Sequence, residues 1–177
     1  MPEIRSQGMK TESLIDEQKE HLRQLLGKFS TAMLVTHGSQ GSLHARPMAL
    51  ATIDEDCTIW FITQRESAKA HEIEADTRVQ IICQKDFSTY ISLSGHATLV
   101  DDRAKVEEIW KETFKIWFPE GKNDPEIVLI SVIPADGEYW DNSGFNKVRY
   151  MVESATAYMT GRKPVVKEGR EHGVVHM

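Results

Sequence analysis

The chain has 177 residues, a net charge of -6 and a hydrophobic fraction of 40%. A chain of this length can form one domain with a substantial core. Its acidic balance argues against a nucleic-acid or anionic-membrane partner, because such surfaces require clustered Lys and Arg. No apolar run reaches the ~18 residues of a membrane span, and the N-terminus lacks the apolar core of a secretory signal, so we expect a cytoplasmic protein.

The two cysteines and the histidines show no pattern typical of a metal site. Cys57 and Cys83 lie in apolar, strand-like runs, and neither has a second Cys or a His at zinc-ligand spacing. Small buried core residues are therefore predicted, rather than a disulfide or a reactive thiol. No metal site is predicted.

A single domain is predicted over residues 13–161. Residues 1–12 are polar, and we expect a flexible N-terminus. The apolar residues of 13–29 fall on one face of a helix, with Gly27 near its end. No repeat or Gly/Ser-rich linker interrupts the chain after this helix, and residues 162–177 are interpreted as a polar tail.

Beyond residue 30 the hydrophobic pattern changes to that of short strands separated by turns. The segment 37–42, with two glycines, is typical of such a turn. Short antiparallel strands favour a small barrel, because closure removes unpaired sheet edges. Six strands are predicted, over 31–36, 43–52, 58–63, 78–84, 89–100 and 126–133, with 137–141 continuing after a break at Pro134.

Three further helical segments are predicted around these strands. A short helix covers 67–75 with Ser67 as its N-cap, a longer one covers 101–117, and 148–161 is weakly helical. We expect the helix over 101–117 and the loop after it to shape a pocket rim. The predicted fold is thus mainly β, a six-stranded antiparallel barrel with peripheral α-helices.

The junction between the third predicted strand and the short helix has the features of an anion site. Free backbone N–H groups and the positive end of the helix dipole meet there. Ser67 can donate its hydroxyl, and Lys69 adds a full positive charge in a position that opposes the dipole unless an anion lies beside it. In the alternative interpretation, Ser67 is only an N-cap and Lys69 is a solvated side chain.

Two other stretches contain candidate ligand contacts. Arg46 interrupts an apolar strand, so it either lies in solvent or pairs with an anion such as phosphate. Pro47 cannot donate to a sheet ladder, which predicts an irregular or edge strand. Trp140 could contact a planar heterocycle, although a core position is the alternative. The other tryptophans are predicted to be core or dimer-surface residues: Trp60, Trp110 and Trp117.

Taken in order, these stretches resemble the FMN-binding split-barrel proteins related to pyridoxamine 5′-phosphate oxidase, in particular their general stress protein branch. The resemblance runs from about Leu25 to Asp141. It rests on an ordered set of motifs: ARPMAL, WFITQRESAKAHEI, RVQIICQ, YISLSGHATLVDD and GEYWD. The set implies a split β-barrel of the pyridoxamine 5′-phosphate oxidase type that binds FMN at the interface of a homodimer.

The resemblance also implies roles for individual residues. Arg46, Ser67 and Lys69 would hold the FMN phosphate. Tyr90 and Trp140 would reach the flavin from the other subunit. The remaining implied contacts line the flavin ring or close the third strand: Pro47, Met48, Ile62 and Thr63.

The chain departs from the oxidase at positions that matter for its substrate. Ile62 replaces a tyrosine, Ala68 replaces one of two adjacent phosphate cations, and residues 145–150 replace the motif that grips substrate. The resemblance therefore implies an FMN-binding flavoprotein, an oxidoreductase or flavin reductase, rather than an oxidase of pyridoxine phosphates. The alternatives are a non-catalytic flavin carrier or stress sensor, a barrel that binds a deazaflavin or tetrapyrrole, and a structural dimer with a vestigial pocket.

Overall fold

The computed structural model describes residues 16–86, 88–141 and 172–177. The predicted flexible terminus (1–12) and the predicted weak helix (148–161) lie outside these ranges, as does most of the predicted tail. Within them the chain is mainly β, with helices at the periphery, which confirms the predicted fold class. No described helix is both long enough and apolar enough to cross a membrane.

The secondary structure comprises eight strands and three α-helices among the described residues. The strands are β1 (Thr31–His37), β2 (Leu43–Ala49), β3 (Thr52–Ile53), β4 (Ile59–Gln64), β5 (Arg78–Lys85), β6 (Thr89–Val100), β7 (Ile127–Asp141) and β8 (His172–His176). The helices are α1 (described over 16–26), α2 (Ala68–Ala75) and α3 (Arg103–Ile109).

All eight strands form one curled antiparallel sheet, in which seven follow the order β2-β1-β5-β6-β7-β4-β3 and β8 pairs with β7. Strand β7 organises this sheet. One of its edges pairs with β6 from Leu129 to Asp141, while its other edge pairs with β4 in the first half and with β8 in the second. Strand β2 lies at the end of the sheet, which confirms the edge position predicted from Pro47.

The six predicted strands differ from the structure at three points, and the first two make the predicted count too low. The second predicted strand is divided into β2 and β3, because Leu50 and Ala51 donate their N–H groups to different neighbours, Ser30 and Trp60. Five residues of the predicted tail form β8, a stretch too short to recognise by period. Strand β7 does not break at Pro134, because a register shift between Ser94 and Gly95 accommodates the proline.

The core consists of two hydrophobic clusters. In the larger one, α1 contributes Leu22, Leu25 and Leu26, which pack with inward residues of the sheet such as Phe61 and Tyr139. The smaller cluster joins α3 and the segment after it to β4 and β7. Residues 127–132 of β7 are all buried because these two clusters cover both of its faces.

Both cysteines are buried and unpaired, as predicted. Burial raises the pKa of the Cys83 thiol to about 12. It also raises the pKa of Cys57. A buried thiol of high pKa carries little thiolate, so neither residue is suited to nucleophilic chemistry.

The register shift between β6 and β7 depends on a glycine. A Cβ added to Gly95 would collide with the carbonyl oxygen of Ile133 and would lie 2.9 Å from the Cα of Pro134. Gly95→Ala should therefore lower the free energy of unfolding by about 1–3 kcal/mol, measured by urea denaturation. Gly27→Ala is the matched control, because its added Cβ meets nothing closer than 3.5 Å. Equal stability of the two variants would contradict this explanation.

Candidate functional site

A cavity of about 430 Å³ opens beside the ends of β2 and β4. Its volume falls within the range of small-molecule sites, roughly 300–1,000 Å³. Strand residues, one residue of α2 and the segment 114–118 form its wall. The lining consists of Pro47, Met48, Ala49, Ile62, Thr63, Gln64, Lys69, Phe114, Ile116, Trp117 and Phe118.

The strand-to-helix junction beside this cavity forms as predicted. Ser67 is the N-cap of α2, but its hydroxyl does not cap the helix and instead lies 3.2 Å from the hydroxyl of Thr63. The backbone N–H groups of Ala68 and Lys69 have no acceptor among the described residues. The junction therefore presents free donors next to the Thr63 end of the cavity.

Lys69 is a half-buried cation that lines the cavity. Within the described residues, its ammonium makes no hydrogen bond or ion pair. Burial and, to a smaller extent, the positive charge of Arg46 lower the pKa of Lys69, while the carboxylate of Glu72 opposes that shift. A desolvated ammonium without a partner is electrostatically unfavourable, and an anion in the cavity would relieve that cost.

Arg46 is already paired within the protein. Its Nη1 donates to Oε2 of Glu72 at 2.7 Å, and its Nη2 donates to Oε1 at 2.9 Å. Nη1 also donates to the Thr36 hydroxyl, and Nη2 lies 3.3 Å from Nδ1 of His44. This bidentate pair ties the edge strand β2 to α2. It occupies most of the guanidinium donors that were predicted to bind phosphate.

The structure brings together part of the predicted site. Five of the predicted residues line the cavity: Pro47, Met48, Ile62, Thr63 and Lys69. Ser67 lies next to it through its contact with Thr63. Arg46 is close enough to influence Lys69 electrostatically, but it is not part of the cavity wall.

Tyr90 and Trp140 lie at a different place on the same chain. They pair with each other across β6 and β7, and the Trp140 ring stacks on His172 at 5.3 Å. The cavity, in contrast, lies near the other end of β6, where Val100 pairs with Leu129 and Leu129 pairs with Ile62. About 34 Å of strand separates Tyr90 from Val100 at that end, at about 3.4 Å per residue.

Residues 114–117 belong to the helix that the sequence predicts over 101–117, and for this helix only a general role in the pocket rim is predicted. Helix α3 ends at Ile109, and residues Glu112–Ile116 form a 3₁₀ turn instead. Trp117, predicted as a core or dimer-surface residue, is 56% exposed and lines the cavity. The neighbouring Phe114 and Phe118 are buried, so burial of these two phenylalanines fixes the turn.

The pair between Arg46 and Glu72 predicts a pH dependence of stability. Hydrogen bonding to Arg46 is the largest of the effects that lower the pKa of Glu72 from its ordinary 4.5 to about 2. Because the folded state lowers this pKa, the stabilisation is complete above about pH 4.5 and is lost as the pH falls towards 2. Glu72→Gln should therefore lower the free energy of unfolding at pH 7 by roughly 1–3 kcal/mol. The difference in free energy of unfolding between the variant and wild type should become smaller below pH 4.5.

Urea denaturation across this pH range measures the effect. Glu74→Gln is the control on the same helix, because Glu74 is exposed and lies 3.5 Å from its nearest basic partner, His71. If the free energies of unfolding of wild type and Glu72→Gln differ by the same amount from pH 7 to pH 2, the ionised Glu72 does not stabilise the fold through Arg46.

Known proteins share this architecture along most of the chain. General stress protein 26 of Bacillus subtilis is 30% identical over 101 residues, which cover 55% of this chain and 70% of that protein. A solved structure named general stress protein 26 from Jannaschia sp. CCS1 has a TM-score of 0.66 and 26% identity, and the match covers 94% of this chain and 99% of that one.

A further solved structure is that of a general stress FMN/FAD binding protein from Xanthomonas citri. Its TM-score is 0.61 and its identity is 28%, with 72% of this chain and 91% of that chain covered. The model of the family described as pyridoxamine 5′-phosphate oxidase like matches residues 17–165. The chain therefore belongs to the pyridoxamine 5′-phosphate oxidase-like family, and within it to the branch similar to general stress protein 26.

Proposed function

We propose that this protein binds FMN in the cavity, with the phosphate at Lys69 and the ring against β2 and β4. The observation that carries the proposal is the half-buried Lys69, which has no partner among the described residues and lines a cavity of ligand size. The similarity to a protein named as FMN/FAD binding supports a flavin. When bound, the flavin would supply the capacity to transfer hydride or electrons.

The residues around Lys69 fit a phosphate. The free N–H groups of Ala68 and Lys69 are donors at the positive end of α2, and the Ser67 hydroxyl lies nearby. Arg46 contributes positive charge, but Glu72 balances most of it. We therefore assign the main contribution to Lys69 and a supporting one to Arg46, which holds α2 against β2.

Removing the Lys69 ammonium tests the phosphate assignment. Lys69→Ala should weaken FMN binding about tenfold to a hundredfold, since a hydrogen bond to a charged group contributes roughly 1.5–3 kcal/mol. Riboflavin, which lacks the phosphate, should bind the variant as it binds wild type. Titration followed by flavin fluorescence measures both affinities.

Lys85→Ala is the matched control, because Lys85 is an exposed lysine whose Nζ donates to the carbonyl of Lys28, away from the cavity. It should leave both affinities unchanged. An equal loss of FMN and riboflavin binding in Lys69→Ala would show that the lysine does not act on the phosphate. Failure of wild type to bind either flavin would overturn the proposed function.

The proposed reaction class is that of a flavin-dependent oxidoreductase or flavin reductase. The cavity wall contains no Asp, Glu, His or Cys among the described residues, and Lys69 is its one charged side chain there. Protein groups would then bind and orient the flavin and exclude water, rather than supply acid–base chemistry. The same observation favours a second candidate, a flavin carrier without turnover, which differs in that it would not consume a reduced pyridine nucleotide.

We further propose that the protein is a homodimer in which each flavin contacts both subunits. Tyr90 and Trp140 lie at the opposite end of β6 and β7 from the cavity and do not line it in their own chain. A second copy could bring them there. The outer face of the sheet offers an apolar contact surface, where Met33 and Ile82 lie opposite each other on β1 and β5 with 37% and 43% of their surface exposed.

A shared site predicts complementation between two defective chains. Lys69→Ala and Trp140→Ala should each weaken FMN binding when expressed alone. When the two variants are co-expressed, random pairing makes about half of the dimers mixed. Each mixed dimer has one intact site, so about a quarter of all sites should bind FMN with wild-type affinity. FMN titration of the co-purified dimers measures that fraction. Absence of any restored site would contradict a shared site.

A further inference from the structure

The segment 114–118 holds two large apolar side chains at the surface of the cavity. Ile116 is 76% exposed and Trp117 is 56% exposed, and both line the cavity that also contains Lys69. Large apolar side chains in such a position are characteristic of ligand sites, since a ligand that covers them removes their surface from water.

The local packing holds this segment in place. Phe114 and Phe118 are buried in the smaller hydrophobic cluster, together with residues of α3, β4 and β7. The Trp117 ring contacts Phe114 at a centroid distance of 6.5 Å, and Phe114 contacts Trp110 edge to face at 5.8 Å. The exposed part of the Trp117 indole is therefore carried on an anchored turn, where it can contact a flat ligand without a large rearrangement.

We propose that Trp117, with Ile116, forms a ring-binding wall of the cavity in addition to β2 and β4, and contacts the planar heteroaromatic ring of the ligand. This inference rests on the proposed function, because Lys69 supplies the phosphate contact. The cavity then recognises its ligand at two independent points, a flat ring at Trp117 and a phosphate at Lys69. The ligand class that fits is a planar heteroaromatic ring joined to a phosphate.

The two contacts should respond differently to phosphate. A residue that contacts the ring contributes equally to FMN and to riboflavin, because both contain the same ring. Lys69 contributes only to FMN. The ratio of the two affinities therefore separates a ring contact from a phosphate contact, and it does so independently of any turnover.

Titration of the full chain with FMN and with riboflavin tests the inference. Trp117→Leu should weaken both flavins by the same factor, about tenfold. It should also reduce the quenching of bound flavin fluorescence, because the indole no longer contacts the ring. Trp117→Phe should restore most of the affinity. Trp60→Phe is the control, since the Trp60 indole N–H donates to Asp54 and the residue is not in the cavity wall.

Each outcome decides the question. Equal weakening of both flavins, with rescue by Trp117→Phe, supports the ring wall. If Trp117→Leu binds both flavins with unchanged affinity, the ring-wall inference is overturned, while the proposal that wild type binds FMN still stands. A loss confined to FMN also overturns it, since the residue would then act at the phosphate. Failure of wild type to bind either flavin overturns both this inference and the proposed function. An unfolding temperature close to that of wild type shows that Trp117→Leu is folded.

Discussion

The antiparallel pairing of β6 with β7 sets the separation, within one chain, between the cavity and the aromatic residues that are also predicted to contact the flavin. This pairing extends from the Thr89–Asp141 pair to the Val100–Leu129 pair. At the Leu129 end, β7 also pairs with β4, so the chain leaves the sheet at Gln64 and enters α2 beside the cavity. At the other end the same pairing places Trp140 beside Tyr90. One long strand pair therefore separates the cavity from the aromatic pair within a single chain.

Two cations, Arg46 and Lys69, lie near the start of α2. Arg46 forms an ion pair with Glu72, whereas Lys69 has no ion-pair partner among the described residues. The Glu72 carboxylate accepts hydrogen bonds from Nη1 and Nη2 of Arg46 and also interacts with Thr36 and His44. Because its oxygens are already engaged, this carboxylate does not form an ion pair with Lys69. The lysine ammonium is left desolvated at the cavity wall, where it lies beside free backbone donors. Such an arrangement favours an anionic ligand over a neutral one.

The apolar wall of the cavity comes from a segment whose helical propensity was overridden by packing. Residues 110–117 continue the helical pattern of α3 in sequence, but Trp110 adopts an extended conformation and α3 ends before it. Burial of Phe114 and Phe118 against β4 and β7 is then achieved by a 3₁₀ turn. The turn leaves Ile116 and Trp117 at the cavity. Polar recognition at α2 and apolar recognition at this turn thus arise from two independent elements.

The sequence by itself determined the mainly β class, most strand positions, the start of α2 at Ser67 and the burial of both cysteines, because these depend on short-range periodicity and residue type. It also identified the family through an ordered set of motifs, and five of the residues that the resemblance implied as ligand contacts line the cavity. Only the tertiary structure decided that Arg46 binds Glu72, 26 positions away, that residues 172–176 complete the sheet, and that Trp117 reaches the cavity. These contacts join elements distant in the chain, and no local pattern encodes which side chain a folded neighbour will bring within reach.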